Sequence, residues 1–199
     1  MMSIDARQVK ELRDKTGSGM MDCKKALIEA DGDVEKAIKI LREKGLSAAA
    51  KRSDRQVKEG QVFCYIHPGA QIGVMVEINC ETDFVARTDD FQQLGKDVAM
   101  QIAATAPLAL TREELDPETV EKEREIFRNQ ALQAGKPENI VDKIIEGKME
   151  KFFSEVCLIE QPFIKDDKIT VKDLVKGAIG KIGENIEINR FARFEVGAG

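Results

Sequence analysis

The chain has 199 residues, 42% of them hydrophobic and 34% charged, the composition of a soluble globular protein long enough for one domain of usual size and a small second one. Its formal net charge is −5, with lysine and arginine spread along the chain. This argues against nucleic-acid and membrane binding, which need concentrated positive charge, and leaves a protein or small ligand as the expected partner. No apolar run approaches the roughly 20 residues that cross a bilayer, and the start, Met1-Met2-Ser3-Ile4-Asp5, lacks the basic and apolar regions of a signal peptide, so a cytoplasmic location is expected.

Asp5 and Gln8 have the spacing of a reciprocal cap, Val9 and Leu12 mark one face of a first helix, and Thr16-Gly17 stops it. Met20, Cys23, Leu27 and Ala30 recur at helical spacing. Asp31-Gly32-Asp33 then turns the chain and caps a third helix whose inner face is Val34, Ala37, Ile38 and Leu41, with Gly45 expected to close it. Three short helices make a bundle too small to be very stable alone. Ser47 to Glu59, with Ala48-Ala49-Ala50 followed by Lys51, Arg52 and Arg55, reads as a linker whose start can be helical.

From Gly60 the hydrophobic period changes from helical to alternating. Val62, Cys64 and Ile66 alternate with Phe63 and Tyr65, Pro68-Gly69 marks a turn, and Ile72, Val74, Val76 and Ile78 alternate with Gly73, Met75 and Glu77, a β-hairpin pattern. Helices follow. Phe91, Leu94, Val98 and Ile102 share a stripe, Asp116-Pro117 opens a charged helix running through Gln133 to Gly135, and Pro137 opens another reaching about Phe153. After an irregular stretch from Cys157 to Asp167, Thr170 caps a last helix with Leu174, Val175, Ala178 and Ile182 inward, and Ile186 to Val196 returns to strand. The order predicts an α+β fold, in which a three-helix domain (1–46) and a linker (47–59) precede a core domain (60–199) with a three-stranded antiparallel sheet packed against helices.

Templates for covalent chemistry fail one by one. The single histidine, His67, sits at the hairpin tip beside Pro68-Gly69, where a turn residue outweighs a catalytic base. No phosphate-cradling G-x-x-x-x-G-K-[ST] loop is present, and Gly17-Ser18-Gly19 follows a helix and reads as a C-cap and connector. Gly177, Gly180 and Gly183 fall three residues apart, where close packing and a helix stop are the simplest reading. Asp89-Asp90 and Asp166-Asp167 read as caps and turns. Cys23, Cys64, Cys80 and Cys157 form no C-x-x-C pair, so reduced and mostly buried thiols are expected, with no metal, cofactor or catalytic residues.

Two segments stay open on the residues alone. In Thr16-Gly17-Ser18-Gly19-Met20-Met21-Asp22, Met20 fits the inner helical face and Met21 lies about 100° around, so either both belong to the core or Met21 is an adaptable contact. In Glu81-Thr82-Asp83-Phe84-Val85, the ring of Phe84 can fold inward or stand out as a wedge. Asp83 is favourable at a helix N-terminus in either case.

These segments carry a resemblance. Val9-Lys10-Glu11-Leu12-Arg13 through Thr16-Gly17-Ser18-Gly19-Met20-Met21-Asp22-Cys23-Lys24-Lys25-Ala26-Leu27 resembles one signature of the elongation factor Ts family of bacterial translation, and Asn79-Cys80-Glu81-Thr82-Asp83-Phe84-Val85-Ala86 resembles the other. Glu160-Gln161-Pro162-Phe163-Ile164 and Gly183-Glu184-Asn185-Ile186 extend the similarity over essentially the whole chain. The resemblance implies a guanine nucleotide exchange factor that binds elongation factor Tu in its GDP-bound and nucleotide-free forms. It implies that the first three helices are similar to a ubiquitin-associated domain and dock on the partner through Arg13, Met20 and Met21. It further implies that Thr82, Asp83, Phe84 and Val85 dislocate the partner's magnesium ion, with Asp83 and Phe84 as the working side chains. Longer family members carry a second related subdomain. This chain has one, so two copies are expected to associate as a homodimer, without a disulfide across it because no cysteine lies in the last strand. Two rivals remain: a general protein-interaction module without exchange activity, and an enzyme working through aspartate or glutamate.

Overall fold

The computed structural model describes residues 4–135 and 137–198. Met1, Met2 and Ser3, on which part of the leader-peptide reading rests, lie outside the described residues. The first half of the chain forms helices α1 (Ala6–Thr16), α2 (Met20–Glu29) and α3 (Val34–Ala50), strands β1 (Glu59–Ile66) and β2 (Ile72–Cys80), the four-residue helix α4 (Asp83–Ala86) and the long helix α5 (Asp89–Thr105). The second half forms α6 (Pro117–Gln133), α7 (Glu138–Val156), the short strands β3 (Pro162–Phe163) and β4 (Asp166–Thr170), α8 (Val171–Ile182) and β5 (Ile186–Glu195). The class is α+β, with β1, β2 and β5 forming a three-stranded antiparallel sheet in the order β1-β2-β5. Among the described residues no helix is long and apolar enough to cross a membrane.

The chain divides into two compact units. One comprises Met1–Val62, Glu77–Gly95 and Asp173–Asn189. Here α1 starts with the reciprocal cap read from the sequence: the Arg7 amide donates to the Asp5 carboxylate (3.2 Å), and the Asp5 amide donates to the Gln8 side chain (3.3 Å). Gly17 ends the helix in the left-handed region, at φ 64°. The three helices bury Val9, Leu12, Cys23, Ala26, Leu27, Ala30, Ala37 and Leu41, the face that the helical period selects.

Gly45 does not close α3, contrary to expectation; the helix runs on to Ala50. Gly45 keeps helical backbone instead of the left-handed conformation that a glycine stop uses. α8 crosses here: a Cβ placed on Gly180 would lie 2.7 Å from the Gly45 Cα, so the missing side chain of Gly180 permits the close approach, while a Cβ on Gly45 would meet open space. The Arg42 guanidinium donates to Asp173 (3.1 Å) across the same pair of helices.

The second unit comprises Phe63–Val76, Lys96–Lys172 and Arg190–Gly199. Asp116 caps α6 by accepting from the Thr119 amide (3.1 Å), with Pro117 in the first turn. α6 and α7 form a hairpin sealed by Ala131, Val141, Ile145 and Met149. Arg112 holds the base of this unit: its guanidinium donates to both oxygens of Glu150 (2.8 and 2.7 Å) and to Glu160 (2.5 and 2.6 Å), and lies 4.4 Å from the Phe153 ring centre. The stretch read as irregular, Cys157 to Asp167, contains a 3-10 turn, β3 and the start of β4, which pairs antiparallel with β3. A two-residue strand is too short to leave a periodic signal. On the exposed side of the strands, Cys64, Ile66, Gly73, Met75, Phe194 and Val196 line a shallow, mostly apolar groove of about 510 Å³.

Candidate functional site

β2 delivers the chain from the buried Val76, Ile78 and Cys80 into Glu81-Thr82, after which α4 makes a single turn. Thr82 is the cap of α4, its hydroxyl oxygen accepting from the Val85 amide (3.5 Å). Thr82 and Val85 therefore face the protein: Val85 is buried, and the buried Cys80 thiol donates to the Thr82 carbonyl (3.1 Å). Burial, with the nearby charge of Glu184 second, pushes the Cys80 thiol up to about 11. That leaves Phe84. Its side chain stands out with 79% of its surface exposed. Asp83 beside it is half-exposed and accepts from Arg87 one helical turn on (2.8 Å). The turn thus presents an exposed aromatic ring next to a half-exposed carboxylate paired with Arg87.

The other candidates lie on α1 and α2. Arg13 is exposed in the last turn of α1. Met20 and Met21 are 46% and 62% exposed at the start of α2. Met20 was expected on the inner face, and the structure places it outside. The Cys23 thiol donates to the Ser18 carbonyl (3.6 Å), tying the connector to the start of α2. An exposed methionine pair is an adaptable apolar contact surface.

Two residues that sequence reasoning left without a role complete the site. Glu184, just beyond α8, accepts from both the Thr82 amide (3.0 Å) and the Thr82 hydroxyl (2.7 Å), 102 residues apart in sequence. Its neighbour Asn185 is buried; its amide donates to the Glu81 side chain (2.6 Å), and its side chain donates to the Arg55 carbonyl (2.9 Å). Gly183-Glu184-Asn185 is visible as a motif, yet no periodicity links it to a turn so distant. The histidine, His67, is bonded to the Tyr65 hydroxyl (3.1 Å) at the hairpin tip. Among the described residues no group of three or more histidine, cysteine, aspartate or glutamate side chains is arranged to hold a metal ion.

The sequence model described as Elongation factor TS matches residues 6–198. The chain belongs to the elongation factor Ts family. Elongation factor Ts of Carboxydothermus hydrogenoformans is 63% identical over 98% of this chain and 90% of its own length. Those of Heliobacterium modesticaldum and Fervidobacterium nodosum are 60% and 56% identical, each over 98% of this chain and over 91% and 100% of their own lengths. Met20, Met21 and Phe84 are among the large apolar side chains that the fold leaves exposed.

Proposed function

We propose that this protein promotes guanine nucleotide exchange on elongation factor Tu during translation elongation, gripping the GDP-bound and nucleotide-free forms and doing no covalent chemistry itself. Family membership supports the reading, and one observation carries it: the Phe84 ring stands in solvent on a turn that the fold holds in place. A phenylalanine pressed between packed elements of a partner forces a discrete rearrangement, because a close-packed core cannot stretch continuously. The partner's magnesium ion neutralises nucleotide phosphate charge, so shifting it, or crowding its ligands with Asp83, weakens the hold on GDP. Thr82 and Val85 serve as the anchored ends of this turn. Arg13, Met20 and Met21, on a three-helix unit similar to ubiquitin-associated domains, supply contact to the partner's nucleotide-binding domain. By linkage, nucleotide weakens the grip of the factor by the same ratio, so entering GTP helps to expel it.

The factor works in the cytoplasm as a homodimer, the second copy covering the apolar groove around Ile66, Met75 and Phe194. Sedimentation giving a fully active monomer at micromolar concentration would reject the dimer. The exchange reading is tested by release of fluorescent GDP from elongation factor Tu. Intact protein accelerates release, and Phe84→Ala and Asp83→Ala remain folded and bind but release GDP more slowly. Unchanged rates in both variants would remove the Thr82–Val85 turn from the mechanism.

A further inference from the structure

The working turn cannot hold itself. α4 is a single turn of four residues, and a helix that short is unstable in water because nucleation costs more than one turn of hydrogen bonds returns. The direction in which Phe84 projects is therefore set by whatever fixes Thr82. Beside the Cys80 thiol on the Thr82 carbonyl, the charged partner that does so is Glu184: one carboxylate receives the Thr82 amide at 3.0 Å and the Thr82 hydroxyl at 2.7 Å. The hydroxyl has a single proton, which is committed to Glu184, so its lone pairs are left to face the Val85 amide and close the turn. The next residue reverses the exchange, the Asn185 amide donating to Glu81 at 2.6 Å. Glu81 and Thr82 are thus clasped from the same segment, with the charge-assisted bonds as the stronger part.

We propose that Glu184 is a positioning residue for exchange, acting through Thr82 to hold Phe84 in its outward orientation; the inference rests on the exchange reading above. Glu184 itself touches neither the nucleotide nor the magnesium ion. Removing it releases the root of the turn, so Phe84 samples many directions and reaches the partner's interior less often. Contact through Arg13, Met20 and Met21 is untouched.

The test uses the full chain with Glu184→Ala, Glu184→Gln, Phe84→Ala and the double variant Glu184→Ala/Phe84→Ala, each with fluorescent GDP on elongation factor Tu. For Glu184→Ala the maximal release rate is expected to fall about tenfold, the scale of lost hydrogen bonds to a charged group, while the half-saturating concentration stays within about twofold. Glu184→Gln, which keeps the shape and one acceptor, falls between the two. Because Glu184 acts through Phe84, it adds no further loss once Phe84 is alanine. A loss confined to the half-saturating concentration, or an equal loss in the Phe84→Ala background, would overturn the proposal. Amide hydrogen exchange in the free protein gives a readout independent of the partner: Glu184→Gln and Glu184→Ala speed exchange from Thr82 to Thr88 and leave α1–α3 unchanged. Unchanged protection there also overturns it. Should the intact protein fail to accelerate GDP release, the exchange reading falls, and the amide measurement still decides whether Glu184 holds the turn.

Discussion

The crossing of α3 and α8 gives a pair of glycine substitutions with opposite expected signs. A Cβ on Gly180 would stand 2.7 Å from the Gly45 Cα and 3.1 Å from its carbonyl oxygen, whereas a Cβ on Gly45 meets nothing within 4 Å. Both glycines are inside helices, so either change to alanine gains about 1 kcal/mol in helix propensity. For Gly45→Ala that gain stands alone. For Gly180→Ala it is set against overpacking of about 1–3 kcal/mol, toward the upper end because the clashing atoms are backbone and cannot rotate away. The expected net effects are stabilisation by about 0.5–1 kcal/mol for Gly45→Ala and destabilisation by about 1–2 kcal/mol for Gly180→Ala. For a chain of this size each kcal/mol moves Tm by about 2–4 °C, so calorimetry should separate the two variants by at least about 3 °C. Gly180→Ala melting at or above Gly45→Ala would refute the close crossing.

Three further outcomes are expected. Val85→Ala should cost about 2 kcal/mol by chemical denaturation and, by loosening the anchored end of the turn, also slow exchange, while the exposed Phe84→Ala should stay within about 0.5 kcal/mol and lose exchange. Native thiol titration at pH 8 should give one fast group, the exposed Cys64, with Cys80 and Cys157 slow because burial raises both to about 11, and dimerisation through the apolar groove should slow Cys64 as concentration rises. The hydrogen bonds from Arg112 lower the Glu150 pKa from its ordinary 4.5, so the associated stability is present above that value and lost as pH falls below it. Melting curves from pH 6 to pH 3 should therefore lose part of their acid slope in Glu150→Gln.

What was legible in the sequence is what repeats or sits next to its partner. Asp5 and Gln8 cap α1 from three residues apart, and the α2 stripe of Cys23, Leu27 and Ala30 is a period that only a helix makes inward. The hairpin alternation placed β1 and β2, and the Asp116-Pro117 start of α6 was likewise visible. What failed depended on distant partners. Gly45 looks like a stop, yet α3 runs through it to the crossing with Gly180 of α8, and Met20 fits the inner period yet stands 46% exposed. The orientation of Phe84 was undecidable because Glu184, the group that fixes its turn, lies 102 residues beyond Thr82.

The exposure of Phe84 also has an energetic consequence. Burying a phenylalanine fully is worth about 1.5–3 kcal/mol, and with 79% of this ring in solvent most of that remains unrealised in the free chain. A factor can shift its partner's equilibrium only by the difference in its affinity for the two states. A ring that finds a pocket in the nucleotide-released conformation and none in the GDP-bound one supplies about 2 kcal/mol of such difference, or about thirtyfold in nucleotide affinity. The methionines and Arg13, if they contact both states alike, add grip without adding any of that difference. Under the proposed mechanism tight binding and fast exchange would be carried by separate residues, and loss of Phe84 should convert the factor into a binder that no longer discriminates between the two states.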